Sequence, residues 1–234
     1  MMRKPPFLYV FQWLTIIAVL ACCEPPTDEK ALFDGKSLAG WEGDPEFFRV
    51  EDGAIVAGRL DQRIPQNEFI STMREFEDFE IRLKVKLVGE GDNAGVQFRS
   101  QRVHDSHEMS GYQADIGYIR AGWVRQFDEF RPLVENLPDS VLYPLWGALY
   151  DESRRDRVLA LGERTKVLDA IKPGEWNALR VQAMGDTIRT WVNEVQITAY
   201  VEKENMPRKG IIGLQVHSGP PLEAWYKDIY IREL

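Results

Sequence analysis

The sequence predicts an all-β protein, and within that class an antiparallel β-sandwich. Residues 79–87 alternate strictly between apolar and charged side chains, which is typical of a half-buried antiparallel strand. Residues 47–57 place Asp-Gly between two β-prone runs, a strong hairpin signal. Residues 176–201 contain three such runs separated by Gly-Asp and Asn-Glu, which predicts a meander. Many short strands with turn signals, and few convincing long helices, favour two packed sheets.

The other elements follow in chain order. Residues 34–36, Asp-Gly-Lys, predict a turn near the start of the domain. Residues 118–150 carry aromatic side chains between polar ones, so this long connection either forms a binding site or packs as a loop without a ligand. Residues 156–171 fit either a short helix or an irregular loop. Residues 211–218 and 225–232 predict the last two strands, separated by a Gly-Pro-Pro break.

Composition limits the domain count and the partners. A chain of 234 residues with 44% hydrophobic and 11% aromatic residues suits one large domain. The formal net charge is -8 and the basic residues form no stripe, so we expect no nucleic-acid partner. The two cysteines, Cys22 and Cys23, precede the predicted domain. That domain is therefore expected to use no disulfide, no thiolate nucleophile and no cysteine-ligated metal.

The first residues resemble an export signal. Two basic residues precede an apolar run that is short for a membrane span, which is the order of a secretory signal peptide. The run ends in Val-Leu-Ala-Cys, similar to a bacterial lipobox, so we predict a lipoprotein signal at 1–21, lipidation at Cys22 and a tether at 22–30. Lipidation at Cys23 and an uncleaved membrane anchor are the alternatives. The expected location is the cell envelope or periplasm, with membrane contact through the lipid anchor only.

Three predicted strands, at 93–99, 111–116 and 213–217, carry unusual polar residues on one face. Because side chains alternate along a strand, residues two apart share a face. These side chains can grip hydroxyls, carbonyls or a metal, whereas an ordinary solvent face would carry Lys, Glu and Thr. The alternative is a solvent-exposed sheet face whose polar residues bind no ligand. The pairs are Gln97 with Arg99, Gln113 with Asp115, and Gln215 with His217.

Several motifs, in order along 31–234, resemble one known family, the 3-keto-disaccharide hydrolase domain. Ala94 stands where Ser is common in that family, and Asn193-Glu194 stands where Asn-Gly is common. The stretch 120–143 is longer and less typical than its family counterpart. The motifs are Leu-Phe-Asp-Gly-Lys-Ser-Leu at 32–38, Val-Glu-Asp-Gly-Ala-Ile-Val at 50–56, Asn-Ala-Gly-Val-Gln-Phe-Arg-Ser at 93–100, Gly-Tyr-Gln-Ala-Asp-Ile at 111–116, Gly-Ala-Leu-Tyr-Asp-Glu at 147–152 and Gly-Leu-Gln-Val-His-Ser-Gly-Pro-Pro at 213–221.

This resemblance implies a jelly-roll sandwich of the concanavalin A-like lectin and glucanase type, exported by carbohydrate-degrading bacteria. It also implies cleavage of glycosides whose sugar carries a ketone at C3. That ketone acidifies the proton on C2, so a base can form an enolate, and the C1 substituent then leaves by elimination. Water can add back to give net hydrolysis. Such a site needs a base, a stabiliser for the enolate oxygen and an acid for the leaving group.

The candidate residues are assigned to these roles. His217 or Asp115 is the expected base, and Arg99 the expected enolate stabiliser. Tyr150 and Glu152 are weaker acid candidates. A divalent cation held by Asp115 and His217 is a possible cofactor in place of Arg99, although two ligands are too few to predict a metal. The expected sugar-binding residues are Gln97, Gln113, Gln215, Tyr150, Trp123 and Trp146.

Competing interpretations exist for the residues and for the function. Arg99 can pair with Asp115 across strands, and His217 can be a structural residue. A non-catalytic carbohydrate-binding module on the same fold would use the same Gln, Arg and Trp side chains but need no base. An ordinary two-carboxylate glycoside hydrolase ranks lower. Glucanases of this fold carry a Glu-x-Asp-x-x-Glu strand, and residues 90–95 lack its second Glu. In every case the partner is an oligosaccharide or glycoside.

Overall fold

The computed structural model describes residues 28–234 as two eight-stranded antiparallel sheets, which confirms the predicted β-sandwich. The front sheet has the order β11-β10-β8-β7-β15-β5-β2, with β9 on β8, and the back sheet β14-β13-β12-β6-β16-β4-β3, with β1 on β16. In chain order the strands are β1 (Lys30–Ala31), β2 (Trp41–Glu42), β3 (Phe48–Glu51), β4 (Ala54–Arg59), β5 (Glu68–Thr72), β6 (Phe79–Gly89), β7 (Asn93–Arg102), β8 (Met109–Arg120), β9 (Leu142–Pro144), β10 (Leu149–Glu152), β11 (Arg157–Ala160), β12 (Asn177–Met184), β13 (Thr187–Val192), β14 (Val195–Val201), β15 (Ile211–Val216) and β16 (Leu222–Glu233).

Alternation along the strands places the core between the sheets. In β6 every second residue from Phe79 to Val85 is buried, while the residues between them face outward. The predicted meander is β12-β13-β14. Its Asn193-Glu194 turn has positive φ at both residues (46° and 67°), the conformation of a type I′ hairpin turn. Helix is limited to α1 (Ala121–Val124), α2 (Arg164–Ala170) and a 3₁₀ turn (Arg131–Leu133) in the part of the chain the structure describes.

The long connection after β8 is an ordered insertion. It has a small core of its own, formed by Ala121, Val124, Val134 and Tyr143, with Trp123 packed against it. The Tyr143 hydroxyl donates to the carbonyl of Gly162 at 2.7 Å, which fastens the insertion to the sandwich. This packing holds Trp123 in place at the outer face of the front sheet.

The described residues include no helix that is long and apolar enough to cross a membrane. The predicted signal at 1–21, Cys22 and most of the predicted tether lie outside the described residues. The tether's last residue, Lys30, is the first residue of β1, and Glu29 receives hydrogen bonds from the Arg82 guanidinium. The ordered sandwich thus starts slightly earlier than residue 31.

Candidate functional site

A cleft of about 340 Å³ opens on the outer face of the front sheet. The strands β7, β8 and β10 and the residue after β15 supply its polar floor. Ile119 near the end of β8, together with Trp123 and Leu145 beyond it, supplies its apolar wall. Polar groups that converge within an apolar-walled cleft are the usual form of a small-molecule site. The lining residues are Asn93, Gln113, Asp115, Ile119, Trp123, Leu145, Tyr150, Glu152 and His217.

The side-chain amide of Gln113 is the hub of this cleft. Its Nε2 lies 2.9 Å from Asp115 Oδ1, 3.2 Å from Gln215 Oε1 and 3.3 Å from Glu152 Oε2. An amide nitrogen carries two hydrogens, so three acceptors compete for them. Glu152 makes the longest of the three contacts, so its carboxyl is the one most easily released to a ligand. The two carboxyl oxygens lie within about 6 Å of each other because both approach the same nitrogen.

A glycine permits this arrangement. Gly95 stands between Asp115 on β8 and Gln215 on β15 in the sheet register. A Cβ atom added at Gly95 would lie 2.4 Å from Gln113 Cδ, far closer than van der Waals contact allows. The missing side chain therefore lets Gln113 lie flat on the sheet and reach both Asp115 and Gln215.

The environment raises the pKa of both carboxyl groups. Burial raises the pKa of Asp115 from its ordinary 3.8 to about 7, against the opposing effect of the Gln113 hydrogen bond. The pKa of Glu152 rises to about 8, first through burial and then through the negative charges of Asp115, Glu108 and Asp156. At pH 7 Asp115 is therefore about half ionised, while Glu152 is mostly protonated. Burial, and after it the negative charges of Glu152, Asp156, Asp115 and Asp151, raise the pKa of Tyr150, so its hydroxyl keeps its hydrogen.

His217 lies in the same cleft, just beyond the end of β15. Its Nδ1 lies 2.7 Å from the carbonyl oxygen of Ser218. A carbonyl oxygen only accepts, so Nδ1 carries the hydrogen and the neutral ring leaves a lone pair on Nε2. Nε2 is therefore the atom of His217 that can accept a proton or a hydrogen bond from a ligand.

Arg99 does not join these residues, so the prediction that it shares a face with Gln97 in the site is wrong. The register shifts between Phe98 and Gln101, and Arg99 itself takes a φ of +48°. This bulge turns the guanidinium away from the cleft, since a bulge breaks the two-residue alternation. The alternative pairing of Arg99 with Asp115 is also wrong. The buried guanidinium donates to Asp78 Oδ1 at 2.7 Å, Gly185 O at 2.8 Å and Glu77 O at 3.0 Å.

Three further predicted contact residues lie beneath or beside the cleft rather than along its lining. Trp146 is 4% exposed and belongs to the main core, so the structure does not present its ring to a sugar. Gln97 is fully buried and its amide donates to the Met109 carbonyl at 3.2 Å. Gln215 is also fully buried and accepts from Gln113. In contrast, Gln113, Asp115, Trp123, Tyr150 and His217 all line the cleft, and their roles stay predictions.

The sequence reasoning missed Asn93, and it missed the apolar wall formed by Ile119 and Leu145. Asn93 shares the parity of Gln97 on β7, so the alternation argument contained the signal for it. Buried oxygens of two cleft residues, Asn93 Oδ1 and Gln113 Oε1, have no hydrogen-bond partner within residues 28–234. Such atoms are acceptors that a hydroxyl-rich ligand can satisfy.

The side chains of the cleft supply few ligands for a metal ion. Within residues 28–234 no group of three or more His, Cys, Asp or Glu side chains is arranged to hold a metal ion. Asp115 and His217 line the same cleft but supply only two ligands, fewer than a resident metal ordinarily takes from the protein. The residues present therefore do not by themselves make a metal site, and the cofactor stays unknown.

Fold and cleft together define a concanavalin- and galectin-like β-sandwich with a polar cleft on the outer face of its front sheet. The chain belongs to the family described as the 3-keto-alpha-glucoside-1,2-lyase-like domain, whose model matches residues 28–232. No curated protein matches the chain in sequence.

Solved structures support the fold. A Parabacteroides distasonis protein, provisionally assigned as a glycosyl hydrolase, is 23% identical with a TM-score of 0.56, over 88% of this chain and 99% of that one. The carbohydrate binding module CBM66 from Bacillus subtilis is 14% identical with a TM-score of 0.56, over 83% and 96%. The VIP36 exoplasmic/lumenal domain in its Ca²⁺/Man3GlcNAc-bound form is 11% identical with a TM-score of 0.57, over 88% and 89%. At these identities the similarity establishes architecture only.

Proposed function

We propose that this protein cleaves the glycosidic bond of glycosides whose sugar carries a ketone at C3, by elimination across C1 and C2. The observation that carries the proposal is the pair of buried carboxyl groups, Asp115 and Glu152, held by one amide and titrating near neutral pH. Membership of the 3-keto-alpha-glucoside-1,2-lyase-like family supports the substrate class. Two neighbouring carboxyl groups with different pKa values are suited to separate base and acid roles.

Asp115 is the base in this proposal. A base with a pKa near the working pH combines a useful ionised fraction with strong proton affinity. Asp115 removes the C2 proton, and the C–H electron pair forms the enolate across C2 and C3. His217 Nε2 is the alternative base, and in the present assignment it accepts a hydrogen bond from a sugar hydroxyl.

Glu152 is the acid. The enolate electrons form the C1–C2 double bond and the C1–O bond breaks, so the leaving oxygen needs a proton. Glu152 holds that proton at pH 7 because its pKa is about 8. Water can then add to C1 while C2 regains a proton, which gives net hydrolysis.

The developing enolate oxygen needs donors that do not lose their own protons. The Tyr150 hydroxyl fits this role because its raised pKa keeps it neutral. The Asn93 side chain supplies a second polar group in the cleft. Trp123 lines the cleft beside Tyr150, with ring centroids 6.2 Å apart, and offers a flat apolar surface for the sugar ring or the leaving group. Arg99 has no part in this scheme because its guanidinium is bound elsewhere. We assign no step to a divalent cation.

Two other functions compete with this proposal, and the experiment below distinguishes them from it. A conventional glycoside hydrolase also needs two carboxyl groups, and the carboxyl oxygens of Asp115 and Glu152 lie within about 6 Å of each other. A non-catalytic carbohydrate-binding module would use Trp123, Asn93 and Gln113 but would not need the raised pKa of Asp115.

The test is incubation of the purified protein with a 3-keto-glucoside and with its unoxidised parent, in D₂O. Release from the keto sugar alone, with deuterium at C2 above a protein-free control, would support the proposal. Release from the parent would identify a conventional hydrolase, and binding without release would identify a binding module. Asp115→Asn should lose activity by about 10²–10⁴-fold, whereas Asp52→Asn, an exposed turn residue, should not. EDTA and added Ca²⁺, in parallel reactions, test the cation directly.

We also propose that the protein is exported and held at the membrane by a lipid on Cys22. The order of the first 22 residues supports this, with a basic start, an apolar run and a lipobox-like ending. Radiolabelled palmitate incorporation tests it. Cys22→Ser should abolish the label, whereas label lost only in Cys23→Ser would move the site by one residue.

A further inference from the structure

A second cleft, of about 380 Å³, lies on the outer face of the back sheet, on the other side of the sandwich from the first. Its volume lies in the range of small-molecule sites, about 300–1,000 Å³. Its floor is built around Ala178 on β12, a small residue between much larger neighbours. Nothing in the proposed reaction uses this surface.

A row of four large side chains crosses the back sheet beside that floor. The register pairs Trp191 with Arg180, Arg180 with Arg82, and Arg82 with Tyr230. The Arg180 guanidinium stacks on Trp191 at 3.8 Å from the ring centroid, and Arg82 lies over Tyr230 at 4.5 Å. Two arginines directly opposite each other destabilise a sheet. The aromatic stacks and the carboxylate partners of the two arginines offset this repulsion, and the row presents rigid, planar donors to a ligand.

Each cation in the cleft is already balanced by a carboxylate. Arg82 donates to Glu29 at 2.8 Å, and the Lys84 ammonium lies 2.9 Å from Asp228. Arg180 donates in the same way to Glu80 at 3.2 Å. A cleft with balanced charge does not select an anion. It offers paired donors and acceptors beside aromatic rings, which is the chemistry that neutral, hydroxyl-rich ligands require.

A bulge directs one of the acceptors into the cleft. The pairing of β16 with β6 shifts between Lys227 and Tyr230, and Asp228 has a φ of +52°. Bulges of this kind re-aim side chains next to functional sites. Here the bulge places the Asp228 carboxylate among the lining residues, beside Lys84 and Tyr230.

We propose that this back-sheet cleft is a second binding site, for a neutral oligosaccharide or polysaccharide chain. Trp191 and Tyr230 supply the aromatic surfaces, and Arg180, Lys84 and Asp228 supply hydrogen bonds to hydroxyls. The site does not depend on the reaction at the front cleft, because the two lie on opposite outer faces of the sandwich.

Affinity gel electrophoresis of the purified protein tests the proposal, with laminarin, dextran, xyloglucan and mannan as neutral probes and polygalacturonate and heparin as anionic ones. At least one neutral polymer should retard the protein. Trp191→Ala and Ala178→Gln, which fills the floor without removing the stack, should each weaken that retardation at least tenfold. Asp115→Asn should leave the retardation unchanged. So should Trp225→Ala, the matched control, because Trp225 is a half-buried tryptophan on the same face outside the cleft.

Three outcomes would overturn the proposal: no retardation by any neutral polymer, retardation by the anionic polymers alone, or equal retardation of the wild type and the folded Trp191→Ala and Ala178→Gln variants. Circular dichroism establishes that each variant is folded. Cleavage of a small 3-keto-glucoside by Trp191→Ala should equal that of the wild type. Failure of the reaction and failure of this second site are therefore read from separate assays.

Discussion

Replacing Asp115 by Asn should stabilise the protein at alkaline pH while removing its activity. Asp115 is 7% exposed as a residue, and the pKa of its carboxyl is raised from 3.8 to about 7 because burial disfavours the charged form. Below pH 3.8 the group is protonated in both the folded and the unfolded chain. As the pH rises from about 4 to about 7, the unfolded chain releases this proton while the folded chain keeps it. Folded stability therefore falls with rising pH through that window, and this loss is complete above pH 7.

The size of the effect follows from the two pKa values. A tenfold change in an ionisation equilibrium is about 1.4 kcal/mol, so the full cost of ionising Asp115 in the folded protein is about 4 kcal/mol. Between pH 5 and pH 8.5 the wild type loses about 3 kcal/mol of this, because part of the decline precedes pH 5. Asn is neutral at both pH values and nearly isosteric. The variant's stability advantage should therefore grow by about 3 kcal/mol over this interval.

The assay is urea unfolding of wild type and Asp115→Asn at pH 5.0 and 8.5, followed by tryptophan fluorescence. Asp52→Asn is the matched control, since Asp52 is exposed in the β3–β4 turn and its positive φ suits Asn equally well. The control should show no growing difference between the two pH values. If the difference between Asp115→Asn and the wild type is the same at pH 5.0 and 8.5, Asp115 does not carry a raised pKa, and the base assignment fails with it.

The remaining predictions concern catalysis and placement. Turnover should peak between about pH 7 and pH 8, where the base is ionised and the acid Glu152 still protonated, and Glu152→Gln should remove the alkaline limb in a pH–rate profile. Gly95→Ala should lower kcat at least tenfold with little change in Tm, because the added Cβ displaces the Gln113 side chain. An unchanged kcat would contradict the role of Gln113 in positioning Asp115 and Glu152. Arg99→Ala should lower stability by about 3 kcal/mol in urea unfolding, through lost hydrogen bonds to Asp78 and two carbonyls, and the surviving folded protein should keep wild-type kcat.

Much of the fold could be predicted because its strands obey simple alternation. Residues 79–87 and the 176–201 meander have one buried face and one solvent-exposed face. The local alternation therefore predicts whether each residue is buried. Strand β5 was missed because all five of its residues, Glu68–Thr72, are buried, so no alternation marks it. The structure of the insertion after β8 could not be predicted for another reason. Its elements are short, and its small core forms only when residues far apart in the sequence pack together.

The site was predicted in part, and the failures have physical causes. Alternation placed Gln113 and Asp115 correctly because β8 is regular over that stretch. It failed at Arg99 because one residue with positive φ breaks the alternation. The residues around Arg99 are ordinary strand residues, so the sequence carries no signal for this bulge. The raised pKa of Glu152 could not be predicted, because it arises first from burial and then from the charge of Asp115, which is distant in sequence.

The two pKa values keep the order of the ordinary values, 3.8 for aspartate and 4.5 for glutamate, because the environment raises both by a similar amount. Burial raises the pKa of Glu152 most, and the negative charges of Asp115, Glu108 and Asp156 raise it further. Asp115 is the more buried of the two, but the Gln113 hydrogen bond stabilises its ionised form. The shared amide therefore favours ionisation of Asp115 first, and that charge keeps the proton on Glu152. Base and acid are thus coupled, and an elimination requires both states at the same pH.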